Sequence, residues 1–501
     1  MNPQLDMTTP MGVTLGLLPE IVLTGWSLVV LLVVAWRHET EADSRLAGWL
    51  SLAGVLLSGA ALAGLWVAQP QPAGLPYMMA LDSYRYAGAA LFLLSAGVTI
   101  GLSLAYLPRE RLLAPEYYPL ILLATVGMMF LGGAEDMIVL FLGLEVMSVA
   151  VYVLAGYNRR NPFSAEAALN FFLIGAFASG FLLYGIALVY GATGSTSLTL
   201  IGTTLTSVRM SMLASVGLGL LLIGFAFKVA AVPFHMWAPD VYDGSPTPVA
   251  GFMATGVKAA AFLSLVRVLH EAFPAAAHLW QPIVGVLAIV TMLVGNLVAL
   301  SQRSLKRMLA YSSVAHAGYL LVAVWPGTRL SAGSVVLYLF AYGLTTLAAF
   351  GILAALGRDG EREVTYDSIA GLAQSRPWLA FAMSICMLSL LGFPGTLGFI
   401  GKWHILSSVV STGHLILPVA VVLTSVISTA YYLPVIMSMY MKPAVSAEAH
   451  RDSRLPPVAA AMVAVTVAAV LLFGFWPSPT VDAAQESAGA LPRPAVPVAT
   501  P

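Results

Sequence analysis

The chain has a single cysteine, Cys386, in 501 residues. One thiolate cannot build an iron–sulfur cluster or a Cys-ligated zinc site, so neither is expected from this chain alone. Charge is almost as scarce: 9% of residues are charged against 59% hydrophobic, and Lys+Arg 23 balance Asp+Glu 23 for a net charge of +0. That balance argues against a nucleic-acid footprint. Glycine-rich phosphate loops of the GxGxxG or GxxxxGK type are missing, so no nucleotide site is expected. Any redox chemistry associated with the chain belongs to other subunits. The first 16 residues hold no Lys or Arg, which does not fit the basic region of a cleaved signal peptide; the first apolar run is expected to be a retained span.

What the sequence has in abundance is apolar runs of about 20 residues, the length that crosses a bilayer core of about 30 Å. They predict an all-α polytopic membrane protein with about 14 spans: 17–36, 46–68, 84–106, 117–134, 137–157, 165–190, 213–236, 247–270, 280–301, 305–325, 332–356, 377–410 (broken), 414–440 and 457–476. Connections are short, so no soluble domain is expected, and a Pro/Ala-rich tail follows from about Ser478. With the N-terminus outside, the inner loops hold Arg37, Arg45, Arg109, Arg111, Arg159, Arg160, Arg303, Lys306, Arg307, Arg358, Arg362, Arg376, Lys442, Arg451 and Arg454. Outside remain Arg85, Arg209, Arg267, Arg329 and Arg493. Those 15 against 5, with three lysines inside spans, exhaust the 23 basic residues. The asymmetry follows the positive-inside rule and supports two external termini.

Four ionisable residues lie inside apolar runs: Glu145, Lys228, Lys258 and Lys402. Each is costly at a span centre, by about 2.5–3.5 kcal/mol or more, and such residues are functional candidates by default. Helical rise puts Glu145, nine residues after Asp136, about 14 Å deep, and Lys258 about 17 Å from either end of its span, both near the midplane. Lys228 falls a little past the middle of its span. Two spans carry breakers. Pro233 should kink or break the seventh a few residues after Lys228, and Gly392-Phe-Pro394-Gly395 interrupts the twelfth beside Lys402. Breaks at membrane depth leave backbone groups that must face protein or water, so each marks an internal hydrated cavity. They lie five spans apart, an odd offset, which is the arrangement of inverted repeats with sites at the repeat interface.

The chemistry follows from the solvent. An ammonium taken out of water loses hydration of its charged form, and a carboxylate moving toward or away from it toggles its hold on a proton. Glu145 and Lys228 would form such a switch. Lys258 and Lys402, with His235 and His316, could pass charge sideways through hydrogen-bonded water. The plainer readings are a structural ion pair for Glu145, an outward-snorkelling Lys402, and satisfied core or loop histidines. Lys306 and Arg307 read as positive-inside anchors, although Lys306 remains a secondary candidate. Glu20, Glu135 and Asp136 read as residues at helix starts, favoured by the dipole. Gly217 with Gly219, and Gly392 with Gly395, read as packing motifs.

The run Pro233-Phe-His-Met-Trp-Ala-Pro-Asp-Val-Tyr-Asp-Gly-Ser-Pro-Thr-Pro248-Val, followed by Lys258-Ala-Ala, resembles the signature of the antiporter-like proton-translocating subunits of respiratory complex I, the bacterial NADH:quinone oxidoreductase. Leu-Gly-Leu-Glu145, the stretch Ser304 to Tyr319 through His316, and Gly392 to Lys402 match as well, from about the third span through the thirteenth. Lys402 and the lack of a long C-terminal lateral helix resemble the subunit N group rather than M or L. The resemblance implies Glu145 pairing with Lys228, Lys258 as the eighth-span lysine, and Lys402 at an outer half-channel. It further implies proton translocation driven by quinone reduction elsewhere, as part of a translocase with no redox centre on this chain. NADH, FMN, Fe–S clusters and quinone (ubiquinone) would sit on other subunits, with partners M, J and K and membrane lipids, in a bacterial inner membrane. On this reading residues 1–112 hold helices 1–3, 113–272 a first repeat, 273–442 a second, inverted repeat, and 443–501 the last span and tail. Val257, where related chains often have proline, is a departure that bears on local helix shape. A subunit of a multi-subunit cation/proton antiporter and a structural scaffold are the alternatives.

Overall fold

The computed structural model describes residues 4–6, 9–37, 40–68, 71–73, 78–112, 115–207, 210–357, 364–443 and 455–491. Arg209, Arg358, Arg362, Arg451, Arg454 and Arg493, all counted in the charge asymmetry, lie outside these residues. Regular structure among the described residues is helical except for two three-residue parallel strands, β1 (Gln4–Asp6) and β2 (Gln71–Ala73). The helices begin α1 (Pro10–Gly16), α2 (Leu18–Trp36), α3 (Glu41–Ala68), α4 (Ser83–Arg109), α5 (Tyr117–Gly133), α6 (Met137–Ala155) and α7 (Pro162–Thr193). Next come α8 (Leu198–Ser207), α9 (Met212–Lys228), α10 (Trp237–Gly244), α11 (Thr247–Phe252), α12 (Lys258–Glu271), α13 (Ala277–Ala299) and α14 (Leu305–Val324). The last are α15 (Arg329–Leu356), α16 (Leu372–Ser375), α17 (Pro377–Leu391), α18 (Leu397–Val410), α19 (Ile416–Met441), α20 (Pro457–Phe475) and α21 (Ser478–Gly489).

Short polar residues set where several helices start. Asp82 accepts from Arg85 N at 2.7 Å to cap α4, Asp136 accepts from Ile138 N at 2.7 Å to cap α6, and Asn161 caps α7 ahead of Pro162. Thr328 and Ser331 form a reciprocal capping box on α15. Among the described residues, ten helical stretches are long and apolar enough to cross a membrane, and α5, α9, α17 and α18 are shorter apolar helices. The chain is a multi-pass membrane protein.

The stretch Thr247–Glu271, made of α11, a π-helical segment Met253–Val257 and α12, is buried along its whole length and forms the axis of the bundle. Helices α7, α13 and α19 present apolar side chains such as Phe177, Val286 and Val426 outward. Lipid gives no hydrophobic reward for helix association, so close backbone approach has to supply it. Glycines make that approach at three crossings. A Cβ on Gly143 of α6 would lie 2.5 Å from Leu131 N of α5; one on Gly185 of α7, 2.9 Å from Gly217 O of α9; one on Gly318 of α14, 2.7 Å from Met292 N of α13.

Several expectations need correction. Helix α9 stops at Lys228 itself rather than a few residues after it, because Ala230 takes a left-handed φ of 59° and turns the chain at once. Lys228 is therefore the last residue of its helix. The residues after Ser478 are not simply a tail: α21 packs on α15, with Arg329 Nε donating to Leu491 O at 2.7 Å and Gly333 leaving room for Gln485. Arg85 and Arg267 are not loop residues but 3% and 1% exposed, held in ion pairs. A Cβ on Gly219 would meet nothing within 4 Å, and Gly392 and Gly395 serve the backbone, with φ of 87° and 86°, rather than helix packing. The short helix α8 had no counterpart among the expected elements.

Candidate functional site

Lys228 closes α9, and the chain that follows is pinned by side chains. Trp237 donates its indole N–H to Phe227 O at 3.0 Å, Thr291 accepts Val232 N at 2.9 Å, and the Trp237 ring stacks on Phe171 at 4.5 Å. The peptide groups that the break releases thus find protein partners. The Lys228 ammonium crosses to α6, where it donates to Ser148 Oγ at 2.8 Å and to the Tyr152 hydroxyl at 3.4 Å. Glu145, Ser148 and Tyr152 are spaced by three and four on α6, so they share one face. Glu145 is half-buried, its Oε1 has no hydrogen-bond partner, and no ion pair joins it to Lys228 among the described residues. The two groups share a site with the pair open and Ser148 holding the lysine.

Lys258 begins α12 directly after the π-helical segment. Such a segment breaks the regular hydrogen-bond ladder and re-aims the residues after it. Its ammonium donates to Ser313 O at 2.6 Å and to Ser313 Oγ, and lies 5.9 Å from the Tyr342 ring centroid. Three residues on, His316 bridges two hydroxyls: Nδ1 meets Tyr338 at 2.7 Å and Nε2 meets Tyr432 at 3.1 Å. Tyr432 also meets Ser312. Three residues further, the Tyr319 ring lies 4.7 Å from the Lys402 ammonium. Ser313, His316 and Tyr319 therefore form a stripe along α14 that runs from Lys258 to Lys402.

Lys402 is 6% exposed and does not snorkel outward. It donates to Leu391 O at 2.9 Å and Ser425 Oγ at 3.3 Å. Leu391 ends α17, so the ammonium sits on a carbonyl that the break has freed, at the negative end of a helix dipole. Gly392 makes room: a Cβ there would stand 2.8 Å from Lys402 Cδ.

The other two candidates lie apart from this line. His235 occupies the turn after Lys228, its Nδ1 without a partner. Lys306 donates to Ser245 O at 2.6 Å at the rim of a cavity of about 550 Å³, beside Arg307, which pairs with Asp240 at 2.8 Å. These two basic residues thus clamp α14 to α10, beyond any role as anchors. The hydroxyls of Ser148, Tyr152, Ser313, Tyr338 and Tyr432 were missed in the sequence. The three-residue spacing of Ser313, His316 and Tyr319 in an apolar helix was the available signal. No group of three or more His, Cys, Asp or Glu residues that could hold a metal occurs among the described residues.

Membrane-long helices, with two shorter apolar ones that stop beside buried lysines held by hydroxyls and carbonyls, define a multi-pass membrane protein with an internal polar line. Residues 134–428 match the family described as NADH:quinone oxidoreductase/Mrp antiporter, transmembrane. The chain is 43% identical over 477 residues to NADH-quinone oxidoreductase subunit N 2 of Roseiflexus castenholzii, spanning 93% of this chain and 94% of that one. It superposes on a chain of respiratory complex I from Thermus thermophilus with a TM-score of 0.78 at 35% identity, covering 93% and 98% of the two chains. A chain of the Mrp complex from Dietzia sp. DQ12-45-1b shares the fold, with a TM-score of 0.80 at 21% identity over 95% and 97%. The chain belongs to the NADH:quinone oxidoreductase/Mrp antiporter transmembrane family.

Proposed function

We propose that this chain is the proton-translocating membrane-arm subunit N of a bacterial NADH:quinone oxidoreductase. The observation that carries the reading is the stripe on α14, which links two buried lysines, Lys258 and Lys402, through hydroxyl and imidazole groups able both to give and to accept a proton. The named relatives, similar over nearly the full chain, supply the setting. Fourteen crossings arise if α5, α9 with its turn, α14, and α17 with α18 each count as one span beside the ten long ones. Residues 113–272 and 273–442 then form two inverted repeats, each with a break at a lysine, between residues 1–112 and 443–501.

In this mechanism Glu145 closes on Lys228 when the complex is driven by quinone reduction elsewhere, and the pair opens to release a proton toward Lys258. From there the α14 stripe carries it to Lys402. NADH, FMN, Fe–S clusters and quinone sit on neighbouring subunits, M, J and K being the expected contacts. The protein lies in the inner membrane with both termini outside. Proton pumping per NADH oxidised, in vesicles with Lys228→Met and assembly checked on the same membranes, tests the reading. Impaired pumping with normal assembly supports it; normal pumping leaves a scaffold, and Na⁺-dependent transport without NADH oxidation would leave a cation/proton antiporter.

A further inference from the structure

The outer ends of α2, α4 and α12, with the loop joining α5 to α6, enclose a second charged group that the Lys258–Lys402 line does not touch. Arg267 is its centre. One arm donates to both oxygens of Asp82 at 2.9 Å, and the other donates to Glu271 at 2.9 Å. Arg85 donates to Glu20 at 2.6 Å and to the carbonyls of Ala80 and Gly16. Four carboxylates, from Glu20, Asp82, Glu135 and Glu271, thus face two guanidiniums that never give up a proton. Three of the acids are hydrogen-bonded to an arginine. Glu135 is the remaining one, 3.9 Å from Arg267 and beyond hydrogen-bond reach.

If every acid were ionised, the group would hold two uncompensated negative charges in a poorly solvated place, and binding a proton relieves that excess. Glu135 is placed to be the one that binds it. Its side chain is 22% exposed, against 1% for Glu20 and 4% for Glu271, so it alone combines a weak partner with access to the surface. Burial pushes its carboxyl up to about 7; Arg267 opposes the rise, and Glu271 and Asp82 add to it. Most of the other polar neighbours have partners of their own. Asp136 caps α6 and accepts from Thr196, the Tyr84 ring lies 5.3 Å from Arg267 with its hydroxyl on Leu263 O, and His270 meets Val266 O on its own helix. The Tyr86 hydroxyl has no hydrogen-bond partner. Lys258 stands nine residues earlier on the same helix as Arg267, about 14 Å along its axis.

We infer that Glu135 is a proton-holding group at the outer face, loaded from within the bundle at the end of the Lys258 helix and discharged to external water. On discharge the carboxyl O–H bond breaks, a solvent water takes the proton, and the carboxylate left behind faces the Arg267 guanidinium. The inference rests on the proton-translocating reading above, and two separate readouts keep the two apart. The first is an infrared pH titration of the purified complex, wild type minus Glu135→Gln. A carboxylic C=O band that vanishes with a midpoint near pH 7 is expected, retained in Glu135→Asp; a group ionised throughout at pH 5 overturns the inference. The second is proton pumping per NADH oxidised. Glu135→Gln is expected to lower it several-fold with assembly intact, with rescue by Glu135→Asp; an unchanged ratio overturns the inference even if the band is present. Failure of the proton-translocating reading shows instead as pumping insensitive to Lys228→Met, whatever the band does.

Discussion

Lys228 and Lys402 both stand where a helix stops, yet they are held differently. Lys228 ends its own helix and reaches across to a face of α6 that carries a carboxylate, Glu145, with Ser148 and Tyr152 holding the ammonium. Lys402 reaches back to the end of another helix, where it finds Leu391 O, Ser425 and the face of Tyr319. Residues 377–441 contain no Asp or Glu at all. Two breaks of similar design thus carry different electrostatics: one lysine shares its site with a carboxylate, and the other sees only neutral dipoles. In the proposed mechanism the first site, with a carboxylate that can approach or retreat, acts as the switch, and the second is the station that passes on what reaches it.

Removing the ammonium at the first break should have the largest effect. Lys228→Met is expected to lower turnover-linked pumping at least about tenfold, equivalent to about 1.4 kcal/mol of barrier, measured per assembled complex. Making the second break resemble the first should come next. Ser425→Asp puts a carboxylate against Lys402, and an interior ion pair of more than about 1 kcal/mol would trap the proton there and slow pumping by up to about tenfold. The same change beside Lys228 exists already in the native chain, so equal tolerance of both sites would break the comparison. A smaller effect is expected from Gly392→Ala, where a positive φ and the nearby Lys402 Cδ together cost about 1–3 kcal/mol, read as a lower thermal midpoint of the complex. The smallest is Ser148→Ala. Loss of one hydrogen bond of about 1 kcal/mol frees Lys228 toward Glu145 and should change the pumping rate roughly fivefold or less.

The sequence made much of this readable and hid the rest for definable reasons. Lys228, Lys258 and Lys402 were legible because an ionisable residue in an apolar run is expensive wherever it points. The Gly392-Phe-Pro394-Gly395 cluster gave the position of the twelfth-span interruption. Pro233 misplaced the other by several residues, since the turn is made at Ala230, a residue type with no tendency to a left-handed φ. Depth counting says nothing of orientation, and the structure leaves Glu145 half-buried with its Oε1 unpartnered. The tyrosines gave no warning, because Tyr in an apolar helix reads equally as packing or as an interface anchor, and only the fold brings Tyr338 and Tyr432 to opposite nitrogens of His316. Arg85 and Arg267 were misread because charge counting treats any basic residue near a span end as a loop residue. Their partners Glu20, Asp82 and Glu271 lie 65, 185 and 4 residues away from them in the chain.

The proposed switching role of the first break is tested most directly by Glu145→Gln, which leaves every hydrogen bond of Lys228 in place and removes only the carboxylate charge. Protons pumped per NADH oxidised would be measured in sealed vesicles, with assembly of the complex verified on the same membranes. A fall in pumping with normal assembly is the predicted result. Pumping and turnover at the wild-type level would contradict the switch and leave Glu145 as a packing residue.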